Sequence, residues 1–111
     1  MSAMDERSYQ KLADVVLRRV DDAFKDVDAD VVDCERAGDV ITLTFANAKR
    51  CVLNTQRPTR QMWLAANARG WHFVYDETGA RWMDEKGTGD ELFATLATIV
   101  REQAGIELSF G

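Results

Sequence analysis

The chain has 111 residues, enough for one domain with its own core. An apolar fraction of 46%, with three Trp, two Tyr and five Phe, excludes a disordered acidic tail. The net charge of −5 argues against wholesale nucleic-acid binding, because phosphate repels acids.

That charge is unevenly spread. Residues 1–39 hold eleven acids and six bases. Residues 40–75 hold no acid and the five bases Lys49, Arg50, Arg57, Arg60 and Arg69. A bipolar molecule is expected, with an acidic end and a mildly basic surface. The opening MSAMDERSYQ is acidic and has no apolar run, so it reads as neither signal nor transit peptide. No window approaches a membrane span.

From about Asp5 to Phe24 the chain reads as an amphipathic helix. Leu12, Val16, Val20 and Phe24 recur every four residues, with Ala13, Leu17 and Ala23 beside them. Lys25–Asp30 is too polar for core and serves as the connection. The period then changes to two. Val32 and Cys34 point one way, Asp33 and Glu35 the other. A turn at Ala37-Gly38-Asp39 leads into Val40–Ala46, with Ile41, Leu43 and Phe45 inward. After Asn47-Ala48-Lys49, Arg50–Gln56 puts Cys51 and Leu53 inward and Val52, Asn54 and Gln56 outward. Such short turns make an antiparallel meander.

Pro58 ends the third strand. Gln61–Ala66 has helical propensity in Leu64-Ala65-Ala66 but is assigned as a strand, because Gly70–Tyr75 follows after a short turn. Arg81–Asp84 is the sixth strand. Thr88-Gly89-Asp90-Glu91 reads as a capping box opening a second helix that carries Leu92, Phe93, Leu96, Ile99 and Val100. Gly105 suits its left-handed cap, and Ile106–Phe110 alternates again as a tail. The fold expected is α+β: two helices on one face of a six- to seven-stranded, mainly antiparallel sheet, as a single domain over 1–111.

Two features could carry function. The first is Asp21–Glu35, in which Asp21, Asp22, Asp26, Asp28, Asp30, Asp33 and Glu35 are acids and Lys25 is the only base. Such a run is either a solvated face balanced by Arg18, Arg19 and Lys25, or a holder of cations or a basic partner. Carboxylates are hard ligands, suited to Mg²⁺, Ca²⁺, Mn²⁺ and iron. Asp26, Asp28 and Asp30 have calcium-loop spacing, but Val31 and Ala37 stand where that loop needs Gly and Glu, so an EF-hand is rejected. No His or Cys joins the acids, which predicts weak, multiple cation binding completed by water.

The second feature is the uncovered sheet face, displaying Asn54, Gln56, Gln61, Trp63 and His72. An exposed Trp among amides is either an interaction surface or a cover for a bend at the sheet edge. An enzyme is not assembled here. His72 has no Ser or Cys nucleophile at motif spacing, and there is no phosphate loop or zinc spacing. Haem ligation by His72 lacks any supporting residue, and no organic cofactor is expected. Cys34 and Cys51 are seventeen apart, form no CxxC, and read as buried reduced thiols in a reducing compartment.

Several segments together resemble the frataxin family, in its bacterial CyaY branch. They are Leu12-Ala13-Asp14 with its acid-rich exit, Val32-Asp33-Cys34-Glu35, and Asn54–Ala65 (NTQRPTRQMWLA). Gly70-Trp71-His72-Phe73 and Gln103-Ala104-Gly105 extend the likeness over nearly the whole chain. The resemblance implies two helices on an antiparallel sheet and a small acidic iron-binding regulator or iron donor of iron–sulfur cluster assembly. It implies Fe²⁺/Fe³⁺ held weakly by surface carboxylates, here Asp14, Asp21, Asp22, Asp26, Asp28, Asp30, Asp33 and Glu35. It also implies that this ridge docks on the cysteine desulfurase. Asn54, Gln56, Gln61 and Trp63 then face the assembly machinery, notably the scaffold protein.

A bacterial cytoplasmic protein is expected, monomeric or oligomerising with iron, with neither nucleic acid nor membrane as partner. Lys25 and Gln10 depart from the family, where a further carboxylate and, in some relatives, a histidine stand; both weigh against a tight iron site. The competing functions are a ferroxidase that stores iron, and an acidic protein-binding module with incidental metal.

Overall fold

The computed structural model describes residues 4–110, so Met1–Ala3 and Gly111 lie outside it, including the first residues of the targeting reading. Helix α1 spans Glu6–Ala23. Strands β1 (Val32–Ala37), β2 (Val40–Phe45), β3 (Arg50–Gln56), β4 (Gln61–Ala66), β5 (Arg69–Asp76) and β6 (Arg81–Asp84) follow, and α2 spans Leu92–Ala104. The six strands form one sheet in the order β1 to β6, and every neighbouring pair is antiparallel. Both helices lie on one face, as the alternation predicts. No described helix is long and apolar enough to cross a membrane.

The core sits between helices and sheet. Ile41, Leu43, Phe45, Cys51, Leu53, Met62, Leu64 and Phe73 face Ala13, Val16, Leu17 and Val20 of α1 and Leu92, Leu96, Ile99 and Val100 of α2, all buried. Each fully buried side chain of this size contributes about 2 kcal/mol. The predicted stripe misses the largest of them, Tyr9, which is fully buried one turn before Ala13. Its hydroxyl donates to Gln61 O at 2.7 Å and accepts from Gln56 N at 3.0 Å. It thus ties α1 to the β3–β4 connection. Leu12, the first residue of the predicted stripe, is only partly buried.

Asp5 caps α1 by accepting from Ser8 N at 2.7 Å. The acid-rich connection is folded by Asp28, whose carboxylate accepts from Asp30 N at 2.9 Å and whose carbonyl accepts from Val31 N at 2.9 Å and Val32 N at 3.1 Å. Arg60 follows a 3-10 turn at Arg57–Thr59 in a left-handed conformation with φ of 56°.

Two expectations are corrected. The second helix does not begin at Thr88. Glu91 is its extended cap and accepts from Phe93 N at 2.9 Å and Ala94 N at 3.0 Å. Thr88 instead donates to the buried Asp84 carboxylate at 2.8 Å. Gly87 and Gly89, with φ of 73° and 86°, keep that segment a loop. The tail adds no seventh strand: residues 105–110 carry no regular structure. Its anchor is apolar, Phe110 packing 6.2 Å from Phe24 and 5.7 Å from Phe93 between ring centres. Gly105 does cap α2 at φ of 71°.

Candidate functional site

The register defines the outer, helix-free face. Asp33 stands opposite Thr44 and Glu35 opposite Thr42, in rows that continue through Arg50 and Val52 on β3. A third row runs from Asn54 through Trp63 to His72. Asp33 and Glu35 therefore share one face with Trp63, three strands away, a span of roughly 15 Å. Arg50 lies two strands from Asp33 on that face, so acid and base are not separated end to end as the bipolar reading expects.

The helical acids approach β1 from the other layer. Asp21 and Asp33 both act on the half-buried Cys34 thiol: burial first, and then these two carboxylates, push it up to about 11. The end of α1 and the start of β1 meet here, at the edge of the sheet that β1 forms. Burial alone pushes the Cys51 thiol up to about 12, and both cysteines are free.

Countercharge is scarce along this edge. Lys25 binds Asp22 at 2.8 Å, and that contact holds its ammonium pKa above the usual value. Arg18 is held by Asp14 at 3.1 Å, and Arg19 lies over the Phe93 ring at 5.9 Å. Of the three expected balancing bases, one reaches the ridge. Among the described residues, Asp21, Asp26, Asp28, Asp30, Asp33 and Glu35 have no basic group within 4.0 Å.

Asp14 does not join them. It stands two turns earlier and is bound by Arg18 and, at 3.2 Å, by Arg36, which fastens β1 to α1. Among the described residues no three His, Cys, Asp or Glu side chains converge on a common metal position. The described acids therefore do not enclose a cation. The Gln10 amide, with its oxygen turned to Arg57, lies 2.8 Å from that guanidinium. Gln10 thus belongs to the end of α1 remote from the acids, and its departure from the family pattern leaves the ridge untouched.

The Trp63 region is built otherwise. The indole stacks on His72 with ring centres 4.1 Å apart and planes 10° from parallel. Trp63 Nε1 donates to Gln61 Oε1 at 2.8 Å, and Gln61 Nε2 donates to Glu85 Oε1 at 3.0 Å. His72 Nδ1 lies 2.7 Å from Glu85 Oε2. Gln61 is buried although it faces outward, because the indole and Glu85 cover it. Asn54 turns its amide to Thr55 O at 3.0 Å, and Gln56 is half-buried. Trp63 is therefore a held platform on the open sheet face, not the cover of a bend.

Sequence reasoning missed Glu85. Its signal was present: the alternation of Arg81–Asp84, continued by one residue, puts Glu85 outward. The Glu85 amide donates to His72 O at 2.9 Å and extends the pairing there.

A family model described as a frataxin-like domain matches residues 2–106. An iron–sulfur cluster assembly protein CyaY from Azotobacter vinelandii is 41% identical over 108 residues, covering 97% of this chain and 96% of the relative. The protein of that name from Pseudomonas aeruginosa is 39% identical, covering 96% and 97%. Among solved structures, a frataxin from Psychromonas ingrahamii superposes with a TM-score of 0.86 at 29% identity, covering 97% of this chain and 99% of that one. A trimeric frataxin from Saccharomyces cerevisiae, complexed with ferrous iron, shares the fold at a TM-score of 0.66 and 23% identity, covering 96% and 91%. With this match over nearly its full length, and with the helix pair, six-stranded sheet and acidic edge described above, the chain belongs to the frataxin-like family.

Proposed function

We propose that this protein is a non-enzymatic component of iron–sulfur cluster assembly, one that carries iron on surface carboxylates and docks on the assembly machinery. Its relatives are named as assembly proteins. The observation that carries the reading is the uncompensated acidic edge. Among the described residues, Asp21, Asp26, Asp28, Asp30, Asp33 and Glu35 have no basic group within 4.0 Å. A fold does not gain stability from such a row, since like charges repel. The row has two uses, attracting a cation and attracting a basic protein surface, and one edge serves both.

The ridge so assigned is Asp21, Asp22, Asp26, Asp28, Asp30, Asp33 and Glu35, with Asp14 left to its structural ion pairs. Open carboxylates hold Fe²⁺ or Fe³⁺ weakly, as cargo to be released. The cysteine desulfurase is the partner assigned to the ridge, reached by charge steering that salt should suppress. The scaffold protein is the partner assigned to the outer face at Asn54, Gln56, Gln61 and Trp63. The protein acts in a reducing cytoplasm as a monomer that iron can drive to oligomerise.

The test is cluster assembly with purified desulfurase and scaffold, across a range of Fe²⁺, with and without the protein. Replacing Asp21, Asp22, Asp26 and Asp33 by Asn should abolish the protein's effect on the rate and weaken desulfurase binding at low salt. Unchanged binding by that variant would sink the ridge assignment.

A further inference from the structure

Four side chains on the outer face form a hydrogen-bonded chain whose two ends, Trp63 and His72, stack on each other. An indole N–H only donates and a carboxylate only accepts, so the Gln61 amide must accept from Trp63 with its oxygen and donate to Glu85 with its nitrogen. The His72 contact at 2.7 Å ends on the other oxygen of the same carboxylate. An ionised carboxylate has no hydrogen to give, so the imidazole carries its proton on Nδ1. The Gln61 and His72 bonds therefore both end on Glu85, with Trp63 joined to it through Gln61, and the other ring nitrogen, Nε2, is left outside. The His72 side chain is 42% exposed, so that nitrogen borders the open face.

The geometry points to Glu85 as the positioning residue of this face: it fixes His72 in the Nδ1–H form and, through Gln61 and His72, holds the Trp63 indole in one orientation before any partner arrives. This rests on reading the face as the scaffold-docking surface. The physical advantage is pre-organisation. An aromatic plate ordered in advance loses no rotamer freedom on contact. In neutral His72 the Nε2 beside the indole is an acceptor, so a partner meets an aromatic pair with one point of hydrogen-bond recognition. Gln61 is buried and faces outward; its amide oxygen is set by the indole N–H, and its amide nitrogen has Glu85 as acceptor.

The deciding variant is Glu85→Gln in the full chain, which keeps the shape and changes one acceptor oxygen into a donor. If its oxygen still accepts from Gln61, its amide nitrogen must donate to His72 Nδ1. The imidazole proton then moves to Nε2, and the acceptor beside the indole becomes a donor. The expected result is a switch of the imidazole ¹⁵N pattern from the Nδ1–H to the Nε2–H form. Purified scaffold protein should bind about tenfold more weakly, the effect of one hydrogen bond. Glu85→Ala should also weaken the near-ultraviolet dichroism of the indole. Lys86→Ala, exposed beside these residues, should leave both readouts unchanged.

An imidazole pattern that does not change in Glu85→Gln overturns the positioning role. So does a changed pattern with unaltered scaffold affinity. Trp63→Ala, run in parallel, separates this from the docking reading. If it binds scaffold like the parent, the face is not the docking surface, whatever the imidazole spectra report about Glu85.

Discussion

The two ends of the outer sheet face are built on opposite plans. At β1 the polar groups are charged, exposed and without partners. At β4 to β6 they are mostly neutral, and each is spent on its neighbour. Bare charge acts over a Debye length and asks little of geometry. A hydrogen-bonded network acts only at contact and asks for nearly everything to be in place. The difference teaches how one small face can offer two kinds of contact, long-range attraction at one end and close fit at the other.

Salt should split the two regions most strongly. Raising ionic strength from about 0.02 M to about 0.3 M is expected to slow association with the desulfurase by one to two orders of magnitude. Trp63→Ala should show the parent's salt slope, and the Asn variant of Asp21, Asp22, Asp26 and Asp33 should lose most of it. Equal slopes in all three, measured by stopped-flow mixing, would erase the distinction.

Next in size is the support behind the platform. Tyr9→Phe leaves Gln61 O and Gln56 N without their shared hydroxyl and should cost about 1–3 kcal/mol. A urea midpoint unchanged by this substitution would contradict the tie between α1 and the β3–β4 connection.

The acidic edge should respond in the other direction. The four-Asn variant relieves like-charge repulsion and should gain about 0.5–1 kcal/mol in the same measurement, most of it vanishing in high salt. A loss of stability there would mean that the carboxylates are structural.

The smallest effect concerns Cys34. Its thiol is raised to about 11, chiefly by burial and then by Asp21 and Asp33. The thiolate is the reactive form, so removing the two acids lowers the pKa and raises the fraction of thiolate at pH 8. Iodoacetamide labelling of Asp21→Asn/Asp33→Asn should be about twofold faster than in the parent, because burial still dominates. No change would place the end of α1 away from β1.

How much of this was legible depends on the range of the interactions. Alternation separated Asp33 and Glu35 from Val32 and Cys34, because a strand's period is local. β4, where Leu64-Ala65-Ala66 favours helix, was recovered only because the Gly70–Tyr75 strand follows it after a short turn. The start of α2 was not legible. Thr88 and Glu91 have capping-box spacing, but the Thr88 hydroxyl goes to Asp84, whose burial is set by the tertiary fold. The tail alternates like a strand yet pairs with none, since alternation supplies faces and not a partner edge.

At the site, the row of acids was plain in the sequence, and its lack of countercharge was not. Arg18, Arg19 and Lys25 sit close in sequence, and only their side-chain destinations show that two of them serve Asp14 and Phe93. The pairing of His72 with Glu85 needs the β5–β6 register, which no local pattern supplies.

Phe110 has a practical consequence. The last described residue is buried and wedged between rings of α1's exit and α2's first turn. A peptide appended at this end must leave from beside the core. A label or fusion there calls for a flexible spacer, and trimming the chain back to Gly105 would uncover Phe24 and Phe93 together, giving a stickier protein that still contains every strand.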